Sequence, residues 1–112
     1  MRFAILAILA IGLAACQSSE VSRELGARCD TSSECDDRCL MPGVDWPGGF
    51  CTTRCETDLD CQSDAACLEE EGGVCAFLCT SDPGCAFLGQ GYGCKERDAR
   101  GGAGTRMVCR GA

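Results

Sequence analysis

The hydropathy pattern divides the chain into two unequal parts. An apolar run covers Phe3 to Ala15 behind a single positive residue, Arg2, and breaks off at Gln17-Ser18-Ser19-Glu20. Beyond it, short polar stretches are punctuated by cysteine, and isoleucine does not occur after residue 11. Residues 17–112 offer four Val, six Leu, Met41, Met107, Trp46, Phe50, Phe77, Phe87 and Tyr92 as their large apolar side chains, thin material for a core. Five-residue segments such as Asp30-Thr31-Ser32-Ser33-Glu34, Glu56-Thr57-Asp58-Leu59-Asp60 and Thr80-Ser81-Asp82-Pro83-Gly84 are too short for stable helices. Their Asp, Ser, Thr and Gly content predicts turns closed by side-chain to backbone hydrogen bonds. Each is followed by a predicted hairpin. Cys67-Leu68 and Val74-Cys75 flank Glu69-Glu70-Glu71-Gly72-Gly73, and Cys39-Leu40-Met41 and Phe50-Cys51 flank a longer tip ending in Gly48-Gly49. The last runs from Cys94 to Cys109 around Gly101-Gly102-Ala103-Gly104, and the paired glycines predict positive backbone dihedrals at all three tips.

Cysteine changes this picture most. There are thirteen, more than the ~8–10% that marks a disulfide scaffold in a short exported chain. Twelve fall into three groups of four: Cys29, Cys35, Cys39, Cys51; Cys55, Cys61, Cys67, Cys75; and Cys79, Cys85, Cys94, Cys109. Five residues separate the first two cysteines of every group, and three residues separate one group from the next. The expected fold is small and disulfide-rich, with three tandem four-cysteine modules at 29–51, 52–75 and 76–112. Short antiparallel hairpins and little regular secondary structure complete it. Bridges worth roughly 2–4 kcal/mol each would stand in for the missing core. Four cysteines allow three pairings, and spacing alone leaves all three open.

The thirteenth cysteine, Cys16, follows the apolar run. Residues 1–15 read as a secretory signal, shorter than the ~20 apolar residues a spanning helix needs. Leu13-Ala14-Ala15-Cys16 resembles the bacterial lipobox, whose cysteine is acylated and becomes the first residue of the mature chain. The resemblance implies anchoring to a membrane through lipid on Cys16, which also leaves an even number of cysteines for pairing. Gln17 at the next position implies the outer membrane, and residues 16–28 read as the lipidated cysteine and a polar tether.

Gly48-Gly49-Phe50-Cys51-Thr52-Thr53-Arg54-Cys55, followed by Asp60-Cys61, resembles the cysteine-rich repeats of myxobacterial-type exported lipoproteins. Gly72-Gly73-Val74-Cys75-Ala76-Phe77-Leu78-Cys79 is a looser match, and there is a remoter likeness to Dickkopf-type and EB-type extracellular modules. The likeness covers residues 29–109. It implies an envelope location and a pairing of first with third and second with fourth cysteine in each module; it implies no activity.

Charge and chemistry narrow the function classes. Between Cys29 and Cys94 there are thirteen acidic residues against two arginines, whereas residues 95–112 hold five basic against two acidic. An acidic body argues against nucleic acid as a partner. Histidine is absent, which removes the commonest general base, and no catalytic residue or cofactor is expected. No Cys-x-x-Cys occurs, so zinc spacing is missing. Asp58, Asp60, Asp64 and Glu69–Glu71 are oxygen donors of the kind calcium takes, without an EF-hand pattern. Function is expected in the hairpin tips. Trp46, held between Pro42 and Pro47, is either a displayed binding residue or part of the scarce core. Lys95, Arg97, Arg100, Arg106 and Arg110 are candidates for meeting an acidic partner, anionic lipid head groups or the acidic face of a neighbouring copy. The leading expectation is a non-enzymatic envelope lipoprotein with a binding or adhesion surface and an unidentified protein partner. The alternatives are an inhibitor of an exported protease and a purely structural envelope component.

Overall fold

The structure, a computed structural model, describes residues 21–102 and 104–112. The signal segment 1–15 and Cys16 lie outside the described residues.

Three antiparallel hairpins follow one another along the chain. Strand β1 (Arg38–Leu40) pairs with β2 (Phe50–Thr52), β3 (Ala65–Leu68) with β4 (Val74–Phe77), and β5 (Gly93–Asp98) with β6 (Thr105–Arg110). In each hairpin the third and fourth cysteines of the group face each other: Cys39 opposite Cys51, Cys67 opposite Cys75, and Cys94 opposite Cys109. They do not bond to each other. Each reaches back to the turn preceding the hairpin, giving Cys29–Cys39 and Cys35–Cys51, Cys55–Cys67 and Cys61–Cys75, and Cys79–Cys94 and Cys85–Cys109. This is the first-with-third, second-with-fourth pattern, and all six bridges stay within a module.

The turns carrying the first two cysteines are closed by a repeated side-chain device. The residue three after the opening cysteine accepts a hydrogen bond from the backbone N–H of the third cysteine. Ser32 Oγ takes it from Cys39 (3.1 Å), Asp58 Oδ1 from Cys67 (2.8 Å) and Asp82 Oδ1 from Cys94 (2.8 Å). Two residues later, Glu34 accepts from the N–H groups of Asp30 and Thr31, and Asp60 from those of Glu56 and Thr57. These contacts satisfy the donors that a short 3₁₀ turn leaves open, over Ser32–Glu34 and Asp58–Asp60. The third module has Gly84 in that place and continues its turn over Asp82–Leu88.

Positive φ is present at all three tips, at Gly48, Gly49, Gly72, Gly73, Gly101 and Gly104 but not at Gly102, with an added reason for two of them. Gly49 (φ 82°) and Gly73 (φ 106°) press against the carbonyl of the opening cysteine of their own module. A Cβ would sit 1.8 Å from the Cys29 oxygen in the first case and 2.2 Å from the Cys55 oxygen in the second. The tip glycine thus closes the hairpin onto its turn as well as reversing the chain.

The modules share one core. Phe50 of the first hairpin, Leu68, Val74 and Phe77 of the second and Val108 of the third are at most 1% exposed, and Phe77 meets Phe50 edge-on at 6.2 Å. Bridges Arg54–Val74, Leu68–Ala99 and Leu78–Val108 tie neighbouring hairpins together. The half-cystines of the first module form a separate satellite cluster, while five of those from the second and third line the main core.

The expected tether at residues 16–28 requires correction over its described part. Leu25 is 1% exposed and belongs to the core. Gly26 N–H donates to the Cys51 carbonyl (2.8 Å) and Cys51 N–H to the Ala27 carbonyl (2.9 Å), so 21–28 is laid along the first hairpin. A lone leucine among polar neighbours gives no local signal, but a domain with so few large apolar side chains recruits it.

Candidate functional site

The tip of the first hairpin is the most elaborate loop of the molecule. Cys39 roots it at one end through its bridge to Cys29. Gly43 and Gly49 N–H both donate to the Trp46 carbonyl, at 3.3 and 2.9 Å. The chain's last residues brace it from outside, Gly111 N–H donating to Asp45 O (2.8 Å) and Ala112 N–H to Val44 O (3.1 Å). The result is a fixed loop that leaves Met41 and Val44 63% and 71% exposed.

Beside it runs an open groove of ≈ 560 Å³, lined on one side by Met41, Val44 and Asp45 and floored by Leu40 and Trp46. The opposite wall is an ion pair between modules. Arg38 donates to the Glu71 carbonyl (2.9 Å) and lies 3.6 Å from its carboxylate. Glu71 is the one non-glycine with positive φ (57°) among the described residues, a conformation costing about 1–2 kcal/mol. The groove therefore combines flexible and branched apolar contacts with a fixed cation and anion.

Trp46 is not displayed. Its side chain is 2% exposed, its ring is 4.9 Å from that of Phe50, and the Arg110 guanidinium lies 5.4 Å from the ring centroid. The expectation of a displayed tryptophan is corrected in favour of the core: the largest apolar side chain in a chain short of them is buried. Its indole Nε1 is the one buried side-chain nitrogen or oxygen without a hydrogen-bond partner among the described residues. An unmet buried donor of this kind costs about 1–3 kcal/mol.

The basic residues of the last hairpin turn inward as well. Arg97 pairs with Glu70 (3.6 Å), Arg100 with Glu56 (3.2 Å) and Arg106 with Asp58 (3.0 Å). Arg110, 10% exposed at its side chain, pairs with Glu70 (2.8 Å) and Asp45 (3.5 Å). Lys95 is half-buried and has no such pair among the described residues. An open basic patch is not what the hairpin presents; its arginines form a web with acids of the first two modules.

The acids considered as calcium donors are largely engaged in the same structure. The Cys67 N–H, and after it Arg106, hold the Asp58 carboxyl below the usual carboxylate range, and the N–H groups of Glu56 and Thr57 do the same for Asp60. Glu70 and Glu71 are paired with arginines. Cysteine sulfurs gather within 4.8 Å in each module, but all are bonded in disulfides and offer no thiolate.

Met41 and Val44 are the exposed site residues that sequence reasoning passed over. The available signal was two apolar side chains inside a tip punctuated by Pro42, Gly43 and Pro47. Scans of this chain against protein-family models, curated proteins and solved structures find no match.

Proposed function

We propose that this protein is a non-enzymatic, lipid-anchored component of the bacterial cell envelope. In this reading it binds a protein partner through the groove beside Met41–Trp46. The observation that carries it is the exposure of Met41 and Val44 on a loop braced by a disulfide, by internal hydrogen bonds and by the C-terminal residues. Adaptable methionine next to a fixed loop suits an apolar protein segment, and a loop already ordered loses little entropy on docking. The Arg38–Glu71 pair on the far wall supplies polar complement. The lipobox-like Leu13-Ala14-Ala15-Cys16 supports the anchoring, and Gln17 after it the outer-membrane location.

The test is affinity capture from envelope extract with the intact protein and a Met41→Ser/Val44→Ser variant. A partner retained by the first and lost by the second is expected; identical capture by both refutes the groove. Labelling with a palmitate analogue, against Cys16→Ala, tests the anchor, and an unlabelled wild type refutes it. The same braced loop also favours a second reading, inhibition of an exported protease with Met41 entering the enzyme. Titration against a protease panel separates the two, since an inhibitor gives stoichiometric loss of activity that Met41→Ser abolishes.

A further inference from the structure

A second depression lies where the described chain begins. It measures ≈ 320 Å³ and is lined by Val21, Gly26, Ala27, Arg28, Phe87 and Leu88 among others. Val21 and Phe87 are 47% and 38% exposed. Phe87 is held from behind, its ring edge-on to the buried Phe77 at 5.1 Å, so it presents a fixed apolar face. Arg28 borders the same depression. Every other arginine among the described residues has a carboxylate partner, and Arg28 has none there.

Position decides what covers this face. Cys16 stands five residues before Val21, so at ~3.6 Å per residue its backbone lies no more than about 18 Å from the depression even when fully extended. We infer that this face rests on the lipid surface to which Cys16 is attached. Val21 and Phe87 enter the acyl–headgroup boundary, and Arg28 meets a lipid phosphate. The inference rests on the reading of Cys16 as acylated. Given that anchor, the depression is held permanently at high local concentration beside the bilayer, so weak contacts suffice. Electrostatics select the orientation. The chain carries a net charge of −7, which an anionic surface repels, and the arginine without a carboxylate partner among the described residues is on the apolar face nearest the anchor. Arginine beside exposed apolar side chains is also the combination that sits comfortably at a headgroup boundary, with its stem in apolar surroundings and its charge in water.

The experiment uses the full lipidated protein reconstituted in phosphatidylcholine/phosphatidylglycerol vesicles, with and without brominated acyl chains. Two variants each add one reporter, Phe87→Trp and Val21→Trp; the wild type supplies the background from buried Trp46. Brominated lipid should quench the added indole at least twofold in both variants and leave the wild type unchanged. Adding Arg28→Glu to either variant should at least halve that quenching. If the variants float with the vesicles but neither is quenched more than the wild type, the membrane-facing assignment is overturned and the anchor stands. If the wild type does not float and Cys16 carries no acyl chain, the anchor reading is overturned and the inference falls with it.

Discussion

The first and third hairpins are built on the same four-cysteine frame and are held in place by different means. The first is secured locally. Its half-cystines make their own cluster, Glu34 closes its turn, and Gly49 presses the tip against the Cys29 carbonyl. The third has Gly84 where the acid stood and Met107 where the tip glycine stood. It compensates with longer strands, with Val108 and Cys109 in the shared core, and with arginines that reach acids of the other modules. The frame therefore specifies the hairpin, while its attachment is decided by what surrounds the frame. The first module adds a locally closed turn to its share of the common core, whereas the third relies more on its neighbours.

The comparison is broken or sharpened most strongly by removing bridges. Cys85–Cys109 closes 24 residues and Cys29–Cys39 closes 10, for which chain entropy alone gives about 3.4 and about 2.7 kcal/mol. Cys85 and Cys109 also lie in the shared core at 0% exposure. The Cys85→Ala/Cys109→Ala pair should cost about 3–5 kcal/mol and unfold the whole molecule in denaturant. Cys29→Ala/Cys39→Ala should cost about 2–3 and leave the second and third modules resistant to protease. Equal losses by both criteria would erase the distinction.

Tip glycines come next. Gly49→Ala puts a Cβ against backbone at a positive φ and should lower stability by about 2–4 kcal/mol in a urea titration. Gly104 also has positive φ (90°) but nothing within 4 Å of a built Cβ, so Gly104→Ala should cost only about 1 kcal/mol. Charge follows. Glu70→Gln removes the charge of the side-chain carboxylate nearest the largely buried Arg110 and should cost about 1–2 kcal/mol. Asp36→Asn, which breaks a pair 60% exposed on both sides in the first module, should stay within about 0.5 kcal/mol.

Acid gives the smallest expected contrast. Backbone N–H groups hold the carboxyls of Glu34, Asp58 and Asp60 below their ordinary range. Folded pKa values lower than unfolded ones mean that this stabilisation is complete above the ordinary carboxylate range and is lost as pH falls through the folded values, from about pH 4 downward. All three residues belong to the first two modules. Melting temperature against pH should therefore show an acid limb that Asp58→Asn flattens; an unchanged limb would refute the contribution of that residue.

The hairpins were legible because cysteine marks both ends of each tip and glycine pairs mark the reversals. The turn device was legible too, in the aligned openings Cys29-Asp30-Thr31-Ser32, Cys55-Glu56-Thr57-Asp58 and Cys79-Thr80-Ser81-Asp82. Merging of the modules was not. Contacts such as Leu68 with Ala99 and Arg106 with Asp58 join residues that no local pattern connects. Leu25 was misplaced and Trp46 left open for one reason: with little apolar material, burial is decided by competition across the whole domain, and each residue read in isolation is ambiguous. The groove suffers from the same limit, since its far wall is completed from another module by a strained Glu71.

The interleaved bridges bear on how the molecule is made. None of the six joins cysteines that are consecutive in the chain. A chain delivered N-terminus first presents Cys29 and Cys35 to an oxidant before Cys39 has arrived, and an oxidase joining thiols in order of appearance would form a wrong bond in every module. Reaching the native set then requires thiolate attack on those early bonds, an exchange that takes minutes to hours without help. Under such an oxidase this small protein would be a demanding client for a disulfide isomerase, and its yield in a host would measure that host's capacity to reshuffle bonds rather than to make them.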